Sequence, residues 1–551
     1  MKRITSIFLT ISIMSVFLLS GCTTSSQDEY VCEVTMGKVL SMDVSKVSDE
    51  DSLMACGNTV EGLYLFDKDQ NVIGGMAESY EVSEDGLTYI FHLRDAKWDN
   101  SDPVTAEDFV FGWRRLLQER GPYASLLTDT APVKNAQAIY YGDGNGNYMD
   151  ISELGVYADD EKTFRVELEM PVPYFNSIVG FPSLAPLNED FFNSLEEGMY
   201  GTSPDTIMCN GPFVLESYMP GTSLVRFKKN KLYWNKDAVK VPGVKLLTVS
   251  SVDVAVEAFE NNFCDIVEIS GSHIEEAKKD DELKDCILSC ESCGQGFLTC
   301  NVEGDLKNTN LRLAISNAID RESIVTNVLN DNAEPSYSSC CKNLYFNPVT
   351  GEDFTKEPEA YSEYCSYDLK KAGNYFELAK KELKKDQIEI ELTIKSDAQG
   401  VKLGAAIKEQ LEQNLDGLVI NLNAVSFAER LQKEIERDYE MILGNWNPDY
   451  PDPKTFMDMY ISDSATNRSG FSNKEFDDLM EKCYETDYVY DEEKRFYALQ
   501  DADMLLVKNA AKIPLYVSKK CFLVNPDVSG AARPPVTLKS FIEFEKVVSE
   551  E

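Results

Sequence analysis

Apolar and polar positions alternate in short runs through the first half of the chain. "TYIFHLR" (88–94) sends successive residues to two faces, as a half-buried strand does, and "SEDG" and "DNSDP" around it supply turns. "TFRVELEM" (163–170) repeats the pattern and stops at "PVP". "GPFVLESYMPGTSLVRFKKN" (211–230) reads as two strands around a Pro-Gly turn, and residues 23–60 as short strands among polar turns. Helical periodicity interrupts this at "TAEDFVFGWRRLL" (105–117), where Thr105 is the expected N-cap and Asp108 takes the reciprocal capping position. In "NTNLRLAISNAIDRESIVTNVLN" (308–330), Leu311, Ala314, Ile315, Ala318 and Ile319 share one face, which predicts one amphipathic helix. From about residue 365 helix and strand alternate: "YDLKKAGNYFELAKKELKK", "IEIELTIKS", "VKLGAAIKEQLEQNL", then the buried strand "YEMIL". The strand-rich first half and the alternating second half predict a mixed α/β protein.

At 551 residues the chain is long enough for two or three domains of about 100–200 residues each. A net charge of −41 repels phosphate backbones and argues against nucleic-acid binding. With only two histidines, His92 and His273, a multi-His metal site or paired-His catalysis is nearly excluded. The chain has no GxxxxGK phosphate loop, so it is not itself an ATPase, and neither a nucleophile elbow nor an HExxH helix is present.

The first residues have the form of an export signal. Lys2 and Arg3 precede the apolar run 4–20, and "LSGC" follows. Residues 1–21 are expected to be removed, leaving Cys22 as a lipid-modified N-terminus on a polar tether (22–30); the alternative is a plain secretory signal or a signal anchor. Of 14 cysteines, Cys22 aside, thirteen remain, an odd number without the spacing of a disulfide framework. They read as small buried hydrophobes. "CILSCESC" puts Cys286, Cys290 and Cys293 at a spacing that iron–sulfur clusters use, but in an exported chain the cluster is disfavoured. "DGNGNYMD" begins like a calcium loop, yet Tyr148 occupies the required glycine position and Leu154 the final acidic one, which favours a polar turn.

From "NTVEGLYLFDKDQNVIGGMAESYEVSEDGLTYIFHLRDAKWDNSDPVTAEDFVFGWRRLL" onward, the chain resembles the extracytoplasmic oligopeptide-binding proteins (solute-binding family 5) of ABC-type peptide permeases. The resemblance continues in order through "PYASLL", "ISELGVYADDEKTFRVELEMPVPYF", "NGPFVLESY", "LRLAISNAIDRESIV" and "NWNPDYPDPKTFMDMY". It implies a two-lobed periplasmic-binding-protein-like fold, a hinge of two strands and an additional domain inserted in the first lobe. The expected division is 23–59, 183–294 and 522–551 for the first lobe, 60–182 for the inserted domain and 295–521 for the second lobe. The implied function is a lipid-anchored, monomeric binding component outside the cell membrane that captures oligopeptides and delivers them to the permease subunits; it is not an enzyme and uses no cofactor or metal. The alternatives are a relative binding a nickel complex, haem or an oligosaccharide, or a peptide-sensing receptor.

The resemblance also implies a site. In "GNWNPDYPDP" (444–453), Asp449 falls on the family's acid for the peptide's amino terminus, Trp446 on a pocket wall and Asn447 on a group that pairs with the peptide backbone. Val47, Ser48, Asp49 and Glu50 are implied to offer main-chain groups to the peptide as an added strand, and Tyr123 to face the cleft. Read without the resemblance, Asp449 is a capping acid in a proline-rich turn, 47–50 an ordinary loop and Tyr123 a core aromatic. Positions where relatives carry a basic group for the peptide's carboxylate correspond here to Leu443 and Gly400, so the carboxylate anchor is open.

Overall fold

The computed structural model describes residues 30–67, 71–330, 332–356, 358–448, 450–462, 464, 466–536 and 538–547. The leader 1–21, Cys22 and Asp449 lie outside the described residues. None of the described helices is long and apolar enough to cross a membrane.

One large sheet runs through the molecule. Its strand order is Leu418–Val425, Ile388–Lys395, Met441–Trp446, Ile287–Cys300, Lys512–Val524, Ile266–Ile269, Val31–Thr35, Gly243–Thr248, Leu224–Lys229 and Phe213–Ser217. The two longest strands join its halves. Residues 287–291 pair with 519–523 beside the first-lobe strand Ile266–Ile269, whereas 295–299 pair with 512–517 beside Met441–Trp446. The register shifts between Glu291 and Gln295, where the pair passes from one lobe to the other. The fold is therefore two lobes hinged by two strands. Gly294 lies at this crossing in close contact with two side chains: a Cβ would stand 2.5 Å from Asn447 Oδ1 and 2.7 Å from Ser518 Oγ, and both would have to move to admit it.

An additional domain rises from the first lobe around the antiparallel order Ala77–Val82, Thr88–Leu93, Thr163–Glu167, Val156–Asp160. Helix Ala106–Gln118 covers this sheet, burying Phe109 and Trp113 against Phe164. Its start follows the sequence signal: Thr105 N donates to the Asp108 carboxylate at 2.9 Å. Arg115, on the same helix, forks onto both Asp43 oxygens at 2.6 and 2.7 Å and so ties this domain to the first lobe. Separate cores fill this domain, the first lobe and the second lobe.

Two elements differ from the sequence expectation. The helix expected over 308–330 is two, Thr309–Ala318 and Arg321–Asn327. The Asp320 side chain accepts from Ser323 N at 3.0 Å and caps the second one, and buried Arg321 bonds the carbonyls of Ser316, Ile319 and Pro514. Within 23–60, residues Glu50–Gly57 form a helix capped by Asp49, whose Oδ1 accepts from Ser52 N at 2.8 Å. Cys290 and Cys293 lie along the extended hinge strand and Cys286 immediately before it. At about 3.3 Å per residue the outer two are too far apart to hold one metal cluster. All thirteen described cysteines are free thiols.

Candidate functional site

Strand Met441–Trp446 is buried through Met441, Ile442, Leu443 and Gly444, then delivers the chain to the space between the lobes. The segment beyond it is locked by three contacts. Trp446 Nε1 donates to Thr455 Oγ1 at 3.1 Å. Tyr450 stacks on Tyr174 of the inserted domain with ring centroids 4.7 Å apart. Asp452 accepts both Arg495 guanidinium nitrogens, at 2.7 and 3.0 Å, and Lys454 N at 3.0 Å. Asp452 and Arg495 are almost fully buried, so this carboxylate is engaged inside the second lobe and has no role toward a ligand.

A cleft of about 710 Å³ opens beside this segment. Of the residues singled out by sequence, Ser48, Glu50, Tyr123 and Asn447 line it. Val47, Asp49 and Trp446 do not. Val47 is buried in the first-lobe core and its N–H donates to Asp43 O at 3.1 Å. Asp49 faces its own helix as a cap, and Trp446 packs against the second-lobe core. Tyr123 packs on Phe181 at 4.6 Å between the cores of the first lobe and the inserted domain. Leu443 lies in the second-lobe core and Gly400 in helix Ala398–Asn414, its N–H capped by Asp397.

Two lysines line the cleft, and each has an acid partner. Lys520, on a hinge strand, meets Glu50 at 2.7 Å; Lys539 meets Glu543 at 3.1 Å and the carbonyl of Gly530. Lys520 belongs to a lysine pair inside the apolar run "YVSKKCFLV", a signal that sequence reading passed over. A third group missed there is Glu61, a single acid among Val60, Gly62 and Leu63. Its carboxylate is buried and accepts from Tyr233 Oη and from Trp234 Nε1, the latter at 2.6 Å. Burial pushes its pKa up to about 7 despite both donors. The Arg94 guanidinium stacks 3.5 Å over the Trp234 ring and bonds the carbonyls of Gly74 and Gly75.

Inserted domain and second lobe also touch directly. Tyr174 and Tyr484 hydroxyls are 3.2 Å apart, and Tyr490 Oη donates to the carbonyls of Ser83 and Glu84 at 3.0 Å. The site is thus a gap between two hinged bodies, lined by main-chain groups, aromatic rings and paired charges. Such a gap can bind and enclose a solute.

Known proteins with this architecture match over nearly the whole chain. The dipeptide-binding protein DppE of Bacillus subtilis is 29% identical, covering 94% of this chain and 95% of its own. A substrate-binding domain of an oligopeptide ABC transporter from Bacillus anthracis superposes with a TM-score of 0.74 at 34% identity, over 94% of this chain and 99% of that one. Listeria monocytogenes OppA bound to peptide gives 0.74 at 29% identity, over 95% and 99%. Residues 71–468 match the description "Bacterial extracellular solute-binding proteins, family 5 Middle", and the chain belongs to this family of bacterial extracellular solute-binding proteins.

Proposed function

We propose that this protein is the peptide-capturing component of an ABC-type importer. The observation that carries the reading is the cleft of about 710 Å³ beside the hinge, lined by Ser48, Glu50 and Tyr123 on one side and Asn447 on the other. Peptide binding in the relatives, by their names DppE and OppA, supports it.

In this reading Asp449 holds the peptide's ammonium. An ammonium enclosed between lobes needs a counter-charge. Asp449 follows a rigid strand end, between Pro448 and Pro451, and its neighbour Asp452 is already committed to Arg495. Asn447 and the main chain at Ser48 and Glu50, the two residues of 47–50 that line the cleft, pair with the peptide backbone, Trp446 buttresses the turn and Tyr123 walls the cleft. Main-chain pairing ignores side-chain identity and gives broad tolerance. No covalent chemistry is part of this role.

The reading extends to the anchor. Cys22, after "LSG", is the acylation site, and the tether 22–30 holds a monomeric binding body outside the cell membrane beside its permease subunits. The chain divides into a first lobe of 23–59, 183–294 and 522–551, an inserted domain of 60–182 and a second lobe of 295–521. Support comes from the separate cores and from the register shift next to Gln295.

Mass spectrometry of molecules released by denaturing the purified protein tests the reading. A ladder of peptides with free amino ends is expected. A single non-peptide solute, or no binding when peptides are offered, would overturn it.

A further inference from the structure

At its inserted-domain end the cleft is walled by apolar side chains, which form a compartment of their own chemistry. Leu65 and Ile73 face each other across the hairpin Tyr64–Phe66/Val72–Gly74. Together with Phe66, Phe181 and Trp234 they line the cleft. Its floor is glycine. A Cβ on Gly62 would stand 2.9 Å from Val179 O, and one on Gly180 2.9 Å from Tyr64 O and 3.7 Å from the Phe66 ring. The chain therefore packs backbone on backbone there.

The indole is held in place. Trp234 Nε1 is bound by buried Glu61, one face is covered by Arg94, and Arg94 is itself fixed on Gly74 and Gly75 next to Ile73. The two acids here are hydrogen-bonded by neutral donors: Glu61 takes two, and Asp67 accepts from Asn71 N at 2.9 Å and Nδ2 at 3.0 Å. What the compartment offers an incoming group is immobilised apolar surface. A rigid wall binds without losing side-chain freedom of its own.

We propose that this compartment receives one bulky apolar side chain of the bound peptide, aromatic or long aliphatic, and so sets a preference that main-chain and ammonium contacts cannot. The inference rests on the peptide reading above. Enclosing such a side chain makes a peptide bind about 10- to 100-fold tighter than its alanine counterpart. An uncompensated lysine or aspartate at the same position weakens binding, because its charge is desolvated.

The test is calorimetry with tetra-alanine and with tetrapeptides carrying one Phe, Lys or Asp at each position in turn. One position is expected to favour Phe over Ala by about tenfold or more and to reject Lys and Asp. Ile73 is 42% exposed, so Ile73→Asp leaves the folded core intact. It should abolish the Phe preference and turn the rejection of Lys into acceptance. Leu65→Ala should reduce the Phe preference without creating one for Lys. Equal affinity for Phe and Ala at every position, or an unaltered Phe preference in both variants, would overturn the inference while leaving peptide binding in place. Failure of every peptide, tetra-alanine included, would overturn the peptide reading along with it.

Discussion

Asp452→Ala isolates what the second acid of "GNWNPDYPDP" does. In the folded chain Asp452 meets the Arg495 guanidinium through two hydrogen bonds, with side-chain exposures of 2% and 1%. The carboxylate holds the Arg495 pKa above its ordinary value against strong desolvation. Removing it leaves a buried cation with one remaining hydrogen bond on this face, to Tyr345 Oη at 3.3 Å, and with the rings of Tyr174 and Tyr345 nearly 6 Å away. Breaking a buried pair from one side costs about 3–5 kcal/mol, against about 0–1 kcal/mol for an exposed pair. Urea unfolding followed by tryptophan fluorescence should register the larger figure. Asp452→Leu combined with Arg495→Met should lose far less than Asp452→Ala, since no charge is then left buried. A single-variant loss under about 1 kcal/mol would refute the reasoning and make Asp452 a solvated turn acid.

Two further outcomes follow from buried groups. Between its ordinary pKa of 4.5 and the folded value of about 7, Glu61 keeps a proton in the folded state that the unfolded chain has lost. Its contribution therefore lowers stability as pH rises through that window, and Glu61→Gln should flatten the slope measured by unfolding at pH 5 and pH 7; an unchanged slope would contradict the assignment. Twelve of the thirteen described thiols are buried, with Cys286 half-exposed. Alkylation of the native protein should mark Cys286 first and the rest only on denaturation, whereas near-zero thiol after denaturation would show disulfides instead.

The strands with clean alternation, 88–94 and 163–170, and the helix after Thr105 were legible because local pattern, caps and burial agree there. The hinge was not. "ILSCESCGQGFLTC" is rich in Ser, Cys and Gly and lacks alternation, so no local pattern marks it as extended. It is a strand because both its flanks are paired, which is a tertiary cause. The break at Asp320 was hidden by an apolar face that runs on through Ile319, and only the buried Arg321 and the Asp320 cap reveal two helices. In the cleft, the motif resemblance brought out Tyr123, Asn447, Ser48 and Glu50. Glu61, Trp234 and Lys520 act through partners far away in sequence, and no local pattern marks such pairs.

The claim at the centre of the account is capture of a peptide by its amino end at Asp449. Calorimetry of Asp449→Ala with one peptide, free and N-acetylated, tests it most directly. At about 4 Å and an effective dielectric of about 20 the attraction is roughly 4 kcal/mol before desolvation, and an unpaired buried ammonium costs about 3–5 kcal/mol. About a hundredfold or greater loss of affinity is expected for the free peptide and little change for the acetylated one. Equal losses for both forms would contradict it and return Asp449 to a structural role in the turn.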